Sequence, residues 1–278
     1  MPDDWWSDLD RPPLDPRALR RGLRTSQETS WWAAVDVVDS TASTNADLAA
    51  SAAAGAAEAT VLLAEHQHAG RGRLGRQWQA PPRSALTLSL LLRPTLPAAR
   101  WPWLSLLAGV AVAEAVTCST GIETTLKWPN DVLVGARKVA GLLVERVETP
   151  TGPAAIVGMG LNVSLRRDEL PVASATSLVL ETDRPVDRQP VALALLRTVE
   201  ALYGAWTDAA GDPAAGLHDS YVRRCDTLGR AVRATLPDGS SVHGTAEAID
   251  RMGGLVVATD AGQRTVRAGD VVHLRTAV

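Results

Sequence analysis

The chain has no phenylalanine, and among 278 residues it has only two lysines and two cysteines. Cys118 and Cys225 are far apart and in no metal-ligand spacing. That excludes a disulfide framework and a thiolate zinc site, and it suits reduced thiols in a cytoplasm. Strong charge of either sign is also missing: a formal net charge of -3 gives no bulk electrostatic grip on nucleic acid. No unbroken apolar run reaches the ~20 residues of a membrane span. The start, Met1-Pro2-Asp3-Asp4, is acidic where a secretory leader is basic and then apolar. Repeats and low-complexity linkers are absent. What is present, 46% hydrophobic and 21% charged residues, is ordinary for a globular protein with a sizeable core.

The lysine scarcity is informative in its own right. Of 28 basic residues, all but Lys127 and Lys138 are arginine. With phenylalanine absent and alanine abundant, a GC-rich coding bias explains arginine wherever any cation serves. A lysine kept against that bias marks chemistry that wants a compact point charge with three rotatable donors, not a planar fork. Both lysines fall inside one block of motifs.

Residues 1–34 read as a short extension. Trp5-Trp6 and Arg11-Pro12-Pro13 precede one helix near Pro16–Arg24 with a basic face of Arg17, Arg20, Arg21 and Arg24. It reads as a solvated surface helix, because a DNA-binding helix-turn-helix needs a second helix and none fits before Trp31. From Val35, strands and helices alternate. Ser43-Thr44 caps a helix from Asn45 to Ala54, and Gly55 stops it. Thr60–Gln67 reads as a strand. Another places Leu86, Leu88 and Leu90 on a buried face, alternating with Thr87, Ser89 and Leu91. A buried helix over Leu104–Thr117 leads to strands at Thr125–Trp128, Val132–Val134, Val139–Val147 and Ala155–Val163, the later ones joined by hairpin turns. Two more helices follow, at about Asp187–Asp208 and Ala214–Arg224. Beyond Asp226, short strand-like runs as far as Val271–Leu274, separated by glycine-containing turns, suggest a small β-barrel. The expected fold is α+β, with one domain over 35–225 and a second over 226–278.

Four stretches carry chemistry. In Gly70-Arg71-Gly72-Arg73-Leu74-Gly75-Arg76-Gln77-Trp78, glycines let backbone N–H groups approach a ligand and arginines neutralise phosphates. Such a loop is expected to be mobile when empty and to be ordered by ligand anions. Its spacing is neither a P-loop nor a dinucleotide fingerprint. Lys127-Trp128-Pro129-Asn130-Asp131 sets a cation, an amide and a carboxylate within five residues, suited to phosphate and to Mg²⁺ through oxygen. Lys138 opens an apolar strand through Gly141, Leu143 and Glu145. Gly158-Met159-Gly160-Leu161-Asn162 is a strand thinned by glycine, where something packs close to the backbone. Ser43-Thr44-Asn45, taken alone, is a helix cap.

In their order and joint presence, these motifs resemble the catalytic domain of the biotin–protein ligases, over roughly Val35 to Cys225. The resemblance implies a class II synthetase-like domain: a mixed, largely antiparallel sheet flanked by helices, with a small C-terminal SH3-like β-barrel. It implies an ATP-dependent ligase that makes biotinyl-adenylate and transfers biotin to a lysine of carrier domains in acyl-CoA or pyruvate carboxylases. By the same resemblance, Ser43, Thr44, Asn45 and Gln67, with Gly70 and Arg71, would hold biotin's ring, and Gly141 and Leu143 its tail. Arg71, Arg73, Arg76, Trp78, Lys127, Asn130 and Asn162 would meet ATP or the adenylate. Lys138 would bridge the biotin carboxylate and the attacked phosphate, assisted by Arg73. Asp131 would hold Mg²⁺ and help deprotonate the acceptor lysine. The 34 residues before Val35 are too few for the winged helix of the family's repressor members, so the resemblance is to the monofunctional type, cytoplasmic, with no DNA or membrane partner. A lipoate–protein ligase of the same fold and a non-catalytic ligand-responsive module are the alternatives.

Overall fold

The computed structural model describes residues 11–24, 30–267 and 269–273. Trp5, Trp6 and Leu274 of the expectations above lie outside these. The main sheet contains β1 (Ala34–Val38), β2 (Thr60–Ala64), β5 (Ala85–Leu92), β6 (Thr125–Lys127), β7 (Asp131–Val134), β8 (Arg137–Val147) and β9 (Ala154–Asn162). Their order is β1-β2-β5-β9-β8-β7-β6, with β1 and β2 parallel and every other pair antiparallel. This is the mixed, largely antiparallel sheet that was expected, and the hairpins β7–β8 and β8–β9 form as the turn residues imply.

Helices cover both faces of the sheet. On one face, Leu86, Leu88, Leu90 and Leu92 of β5 join the main core with α3 (Trp103–Thr120) and α4 (Arg188–Asp208). On the other, Leu91 packs with Leu48 and Ala52 of α2 (Thr44–Ala53) and Ile156 of β9. All eight residues of β5 are buried as a result. The reading of Thr87 and Ser89 as an outer face is therefore corrected: α2 and a cleft cover that side. The stretch Ala98–Thr120 is long and apolar enough to cross a bilayer by length and composition, and in the fold 67% of its apolar window is buried. Its apolar character serves the core.

Residues 11–24 are more integrated than an extension implies. Asp15 caps α1 (Pro16–Gly22) by accepting from the Arg17 and Ala18 N–H groups. The four arginines of its basic face are exposed, but Leu14, Leu19 and Leu23 enter the main core. Leu14 N–H donates to Glu65, and Arg188 reaches the Pro12 carbonyl, so the segment straps across the sheet.

After the short α5 (Leu217–Val222), a second sheet holds β10 (Ala231–Thr235), β11 (Ser241–Ile249), β12 (Leu255–Thr259), β13 (Gly262–Val266) and β14 (Asp270–His273). It is antiparallel throughout, in the order β13-β12-β11-β10-β14. Its core is continuous with the main one, and two indoles tie it down. Trp103 donates to the Arg251 carbonyl at 3.0 Å and Trp128 to the Gly253 carbonyl at 2.9 Å.

Candidate active site

The N-terminus of α2 forms one end of the site. Ser43 caps the helix, its hydroxyl accepting from Ala46 N–H. Thr44 N–H donates to Gln67 Oε1 at 2.7 Å, and the Thr44 hydroxyl oxygen lies 3.0 Å from the same atom. Gln67 lies beyond the end of β2, which stops at Ala64 and not at Gln67 as the apolar run suggests; a bridge to Thr41 holds it there. Thr44 also meets Ser89 at 2.7 Å, Ser89 donates to Asn45 Oδ1, and Asn45 donates to Glu145 at 2.7 Å.

The Gly/Arg stretch is folded as a ribbon. β3 (Gly70–Arg71) pairs with β4 (Gln77–Trp78), and Leu74 stands exposed at the tip. The ribbon lays the Trp78 ring on the main sheet, where Gly141 of β8 and Gly160 of β9 face each other across the ladder. A Cβ at Gly160 would come 2.4 Å from the Trp78 ring, and one at Gly158 2.3 Å from Asn45 Oδ1. The glycines are there because a ring and an amide occupy the space a side chain would need. The indole N–H of Trp78 is buried without a partner among the described residues, which suits a site that receives an acceptor from a ligand. Gly160→Ala is expected to push the ring out and, with Trp78 meeting ATP as the resemblance implies, to raise KM for ATP about tenfold, a loss of contact of ~1.4 kcal/mol. The melting temperature should move little, since the ring belongs to the ribbon; an unchanged KM would contradict this placement.

The third part is the turn at Lys127–Asp131. Buried Trp128 precedes a cis peptide bond to Pro129, and Trp128 N–H donates to Thr227 Oγ1. Asn130 donates to the Leu142 carbonyl and accepts from Arg73, whose other nitrogen reaches the Gly269 carbonyl at 2.9 Å. Arg73 thus joins the ribbon to this turn and to the C-terminal sheet. Lys138 is pinned through its backbone to Ser174 and Thr176, and its Nζ lies 2.6 Å from Asp131 Oδ1. Lys127 sits across the ladder from Asp131. Asn162 is buried, with its amide committed to the Thr176 carbonyl.

Two clefts meet here. The first takes in Ser43, Thr44, Asn45 and Gln67 at one end, Gly141 and Leu143 along its length, and Arg71, Arg73 and Asn130 at the rim. The second is lined by Lys127, Asp131, Asn162 and, from the C-terminal part, Asp226, Arg230 and His273. Arg76, Trp78 and Lys138 line both. Gly70 faces a third cleft on the outer side of the ribbon. The two clefts adjoin, and the Lys138 cation stands where they meet.

Residues 35–162 match the biotin/lipoate A/B protein ligase family, and residues 227–274 match the biotin protein ligase C-terminal domain. The chain is 45% identical to a biotin–[acetyl-CoA-carboxylase] ligase of Mycobacterium tuberculosis, over 95% of this chain and 97% of that protein. It is 32% identical to a bifunctional ligase/repressor of Bacillus subtilis, over 93% of this chain and 78% of that one. Among solved structures it resembles a biotin protein ligase of Aquifex aeolicus in complex with biotin and ATP, with a TM-score of 0.74 and 27% identity over 88% and 100% of the two chains.

The chain belongs to the biotin protein ligases.

Within this biotin protein ligase fold, several residues at the site carry signals that the motifs do not announce. Ser89, like Thr87, is a hydroxyl inside an otherwise apolar strand, and Glu145 lies two residues before the end of the Lys138 strand. His273 and Thr227 come from the C-terminal region, far from any motif. His273 is half-buried and 3.1 Å from Thr227 Oγ1. Burial, and then the nearby Lys127, lower its pKa from the ordinary histidine value.

Proposed function

We propose that this biotin protein ligase activates biotin with ATP and passes the biotinyl group to a lysine of carrier domains in acyl-CoA or pyruvate carboxylases, in the cytoplasm. The observation that carries this reading is the position of Lys138, which lines both clefts and is held in place through its backbone. Biotin's neutral ring suits the end of the first cleft, where a few placed polar groups stand in apolar surroundings. Its tail would run past Gly141 and Leu143 and bring the carboxylate to Lys138.

In the first step a carboxylate oxygen bonds to the α-phosphorus of ATP, the bond from that phosphorus to the bridging oxygen breaks, and pyrophosphate leaves. Lys138 exchanges its Asp131 partner for two anions that otherwise repel each other. It stabilises charge growing on the phosphoryl oxygens, as fixed electrostatics. Arg71, Arg73 and Arg76 add charge-assisted donors from the ribbon. Lys127 and Asn130 face the phosphates, and Asn162 the far side of the second cleft. Magnesium would arrive with ATP and offset phosphate charge, with Asp131 as an oxygen ligand. Among the described residues no group of three or more His, Cys, Asp or Glu stands together, which suits a metal held mostly by the nucleotide. In the second step the acceptor amine, ordinarily protonated with a pKa near ~10.4, loses a proton, for which Asp131 is the carboxylate at hand. The amine nitrogen then bonds to the carbonyl carbon, the carbon–oxygen bond to phosphate breaks, and AMP leaves.

Incubating the chain with ATP, Mg²⁺, biotin and an unmodified carrier domain should add one biotinyl group to one carrier lysine, read by mass spectrometry. No addition would overturn the reading. Arg73→Gly should release the ribbon from Asn130 and Gly269 and let adenylate escape. Bystander proteins would then be biotinylated diffusely; leakage equal to that of the parent chain would contradict this role.

A further inference from the structure

Behind the lining of the first cleft, Thr44, Ser89, Asn45 and Glu145 form one hydrogen-bonded row, and Thr44 N–H fastens Gln67 to its cleft end. Ser89 is fully buried and Asn45 nearly so. The direction of each bond follows from what each group can donate. The Asn45 nitrogen faces the Glu145 carboxylate at 2.7 Å and the Leu143 carbonyl at 3.3 Å, and both of these only accept. Its oxygen therefore faces Ser89, at 2.5 Å, and the single Ser89 proton is committed to it. The Ser89 oxygen must then accept from the Thr44 hydroxyl, 2.7 Å away. At the cleft end, the Thr44 oxygen and Gln67 Oε1 keep unused lone pairs, and Thr44 N–H fixes which way Gln67 points. Every hydroxyl proton in the row points away from the cleft.

We infer that Glu145 is a positioning residue that sets the polarity of this row, so that Thr44 and Gln67 present acceptors to the two N–H groups of a cyclic urea. This inference rests on the biotin reading and deepens it. A dithiolane ring brings no N–H donor and would leave those acceptors buried and unpaired, which is a strong ground for rejection. Glu145 also meets Arg71 at 3.3 Å, but both side chains are a third to a half exposed, so that ion pair contributes little. The polarity of the row is the larger effect.

Glu145→Gln tests it. An amide at 145 can donate to the Asn45 oxygen, which lets the Asn45 amide rotate, the row reverse, and a hydroxyl proton face the ligand's N–H. Kd for biotin by calorimetry and KM for biotin should rise about tenfold or more. KM for ATP and kcat at saturating biotin should stay within twofold, which a general structural defect would not leave intact. The double variant Asn45→Asp/Glu145→Gln again turns an oxygen to Ser89 and should recover most of the lost affinity. Unchanged biotin affinity in Glu145→Gln, or a double variant no better than the single one, overturns the inference alone. A parent chain that does not bind biotin overturns both it and the functional reading.

Discussion

Replacing Lys138 with alanine should reduce biotin-dependent pyrophosphate release by at least 10²–10³-fold, the cost of losing one fixed group aimed at developing charge. Biotin binding should fall only a few-fold, because the ring end of the first cleft, around Thr44 and Gln67, is untouched. The asymmetry comes from where Lys138 stands. It lines both clefts, and its ion pair with Asp131 leaves that carboxylate unpaired once the lysine is gone. Asp131 would then repel the phosphates that Lys138 draws in. Lys138→Arg keeps a charge but replaces the compact ammonium with a planar fork, and is expected to recover little. Lost biotin affinity with normal pyrophosphate release, measured by calorimetry and a coupled assay, would move Lys138 from the phosphate to the ring.

Arg188→Met should cost about 3–5 kcal/mol of stability, the usual penalty for leaving a buried charge without its partner. For a chain of this size that corresponds to a melting temperature lower by roughly 10 °C. Arg188 and Glu65 are each only 4% exposed, and Arg188 Nη1 lies 2.7 Å from Glu65 Oε2. The pair is close, yet off the hydrogen-bonding direction: among the described residues Oε2 accepts no hydrogen bond, while Nη1 donates to the Ala85 carbonyl. The interaction is therefore mainly coulombic, and Glu65 suffers most when the cation is removed. Adding Glu65→Gln to Arg188→Met should restore part of the loss by removing the stranded charge. A shift below about 2 °C by scanning calorimetry would contradict the account. Because Glu65 stands two residues before Gln67 and holds Leu14, the destabilised variant should also bind biotin less tightly.

Much of the site was legible in the chain because its chemistry is local. Lys127 to Asp131 is one turn, Gly70 to Trp78 is one ribbon, and Lys138 opens the strand whose Gly141 accepts the Trp78 ring. The glycine-thinned strand announced a close neighbour but not which one, since Asn45 and Trp78 arrive from other elements. Other features depend on contacts that spacing does not encode. Thr87 and Ser89 alternate with leucines as an exposed face would, and α2 and the cleft beside it cover them. Three leucines among the basic residues of 11–24 are easily read as a solvated helix, until Glu65 and Arg188 fasten that segment to the sheet. Glu145 lies near the end of a largely apolar strand and reads as one of its outward polar residues. Its role emerges when the donors of Thr44, Ser89 and Asn45 are counted together.

The central claim is that this chain joins ATP to biotin at the meeting of the two clefts. The most direct test incubates it with ATP and Mg²⁺, adds either biotin or lipoate, and follows pyrophosphate release. Release that depends on biotin and is absent with lipoate is the predicted result; release that lipoate supports equally, or none with biotin, would contradict it.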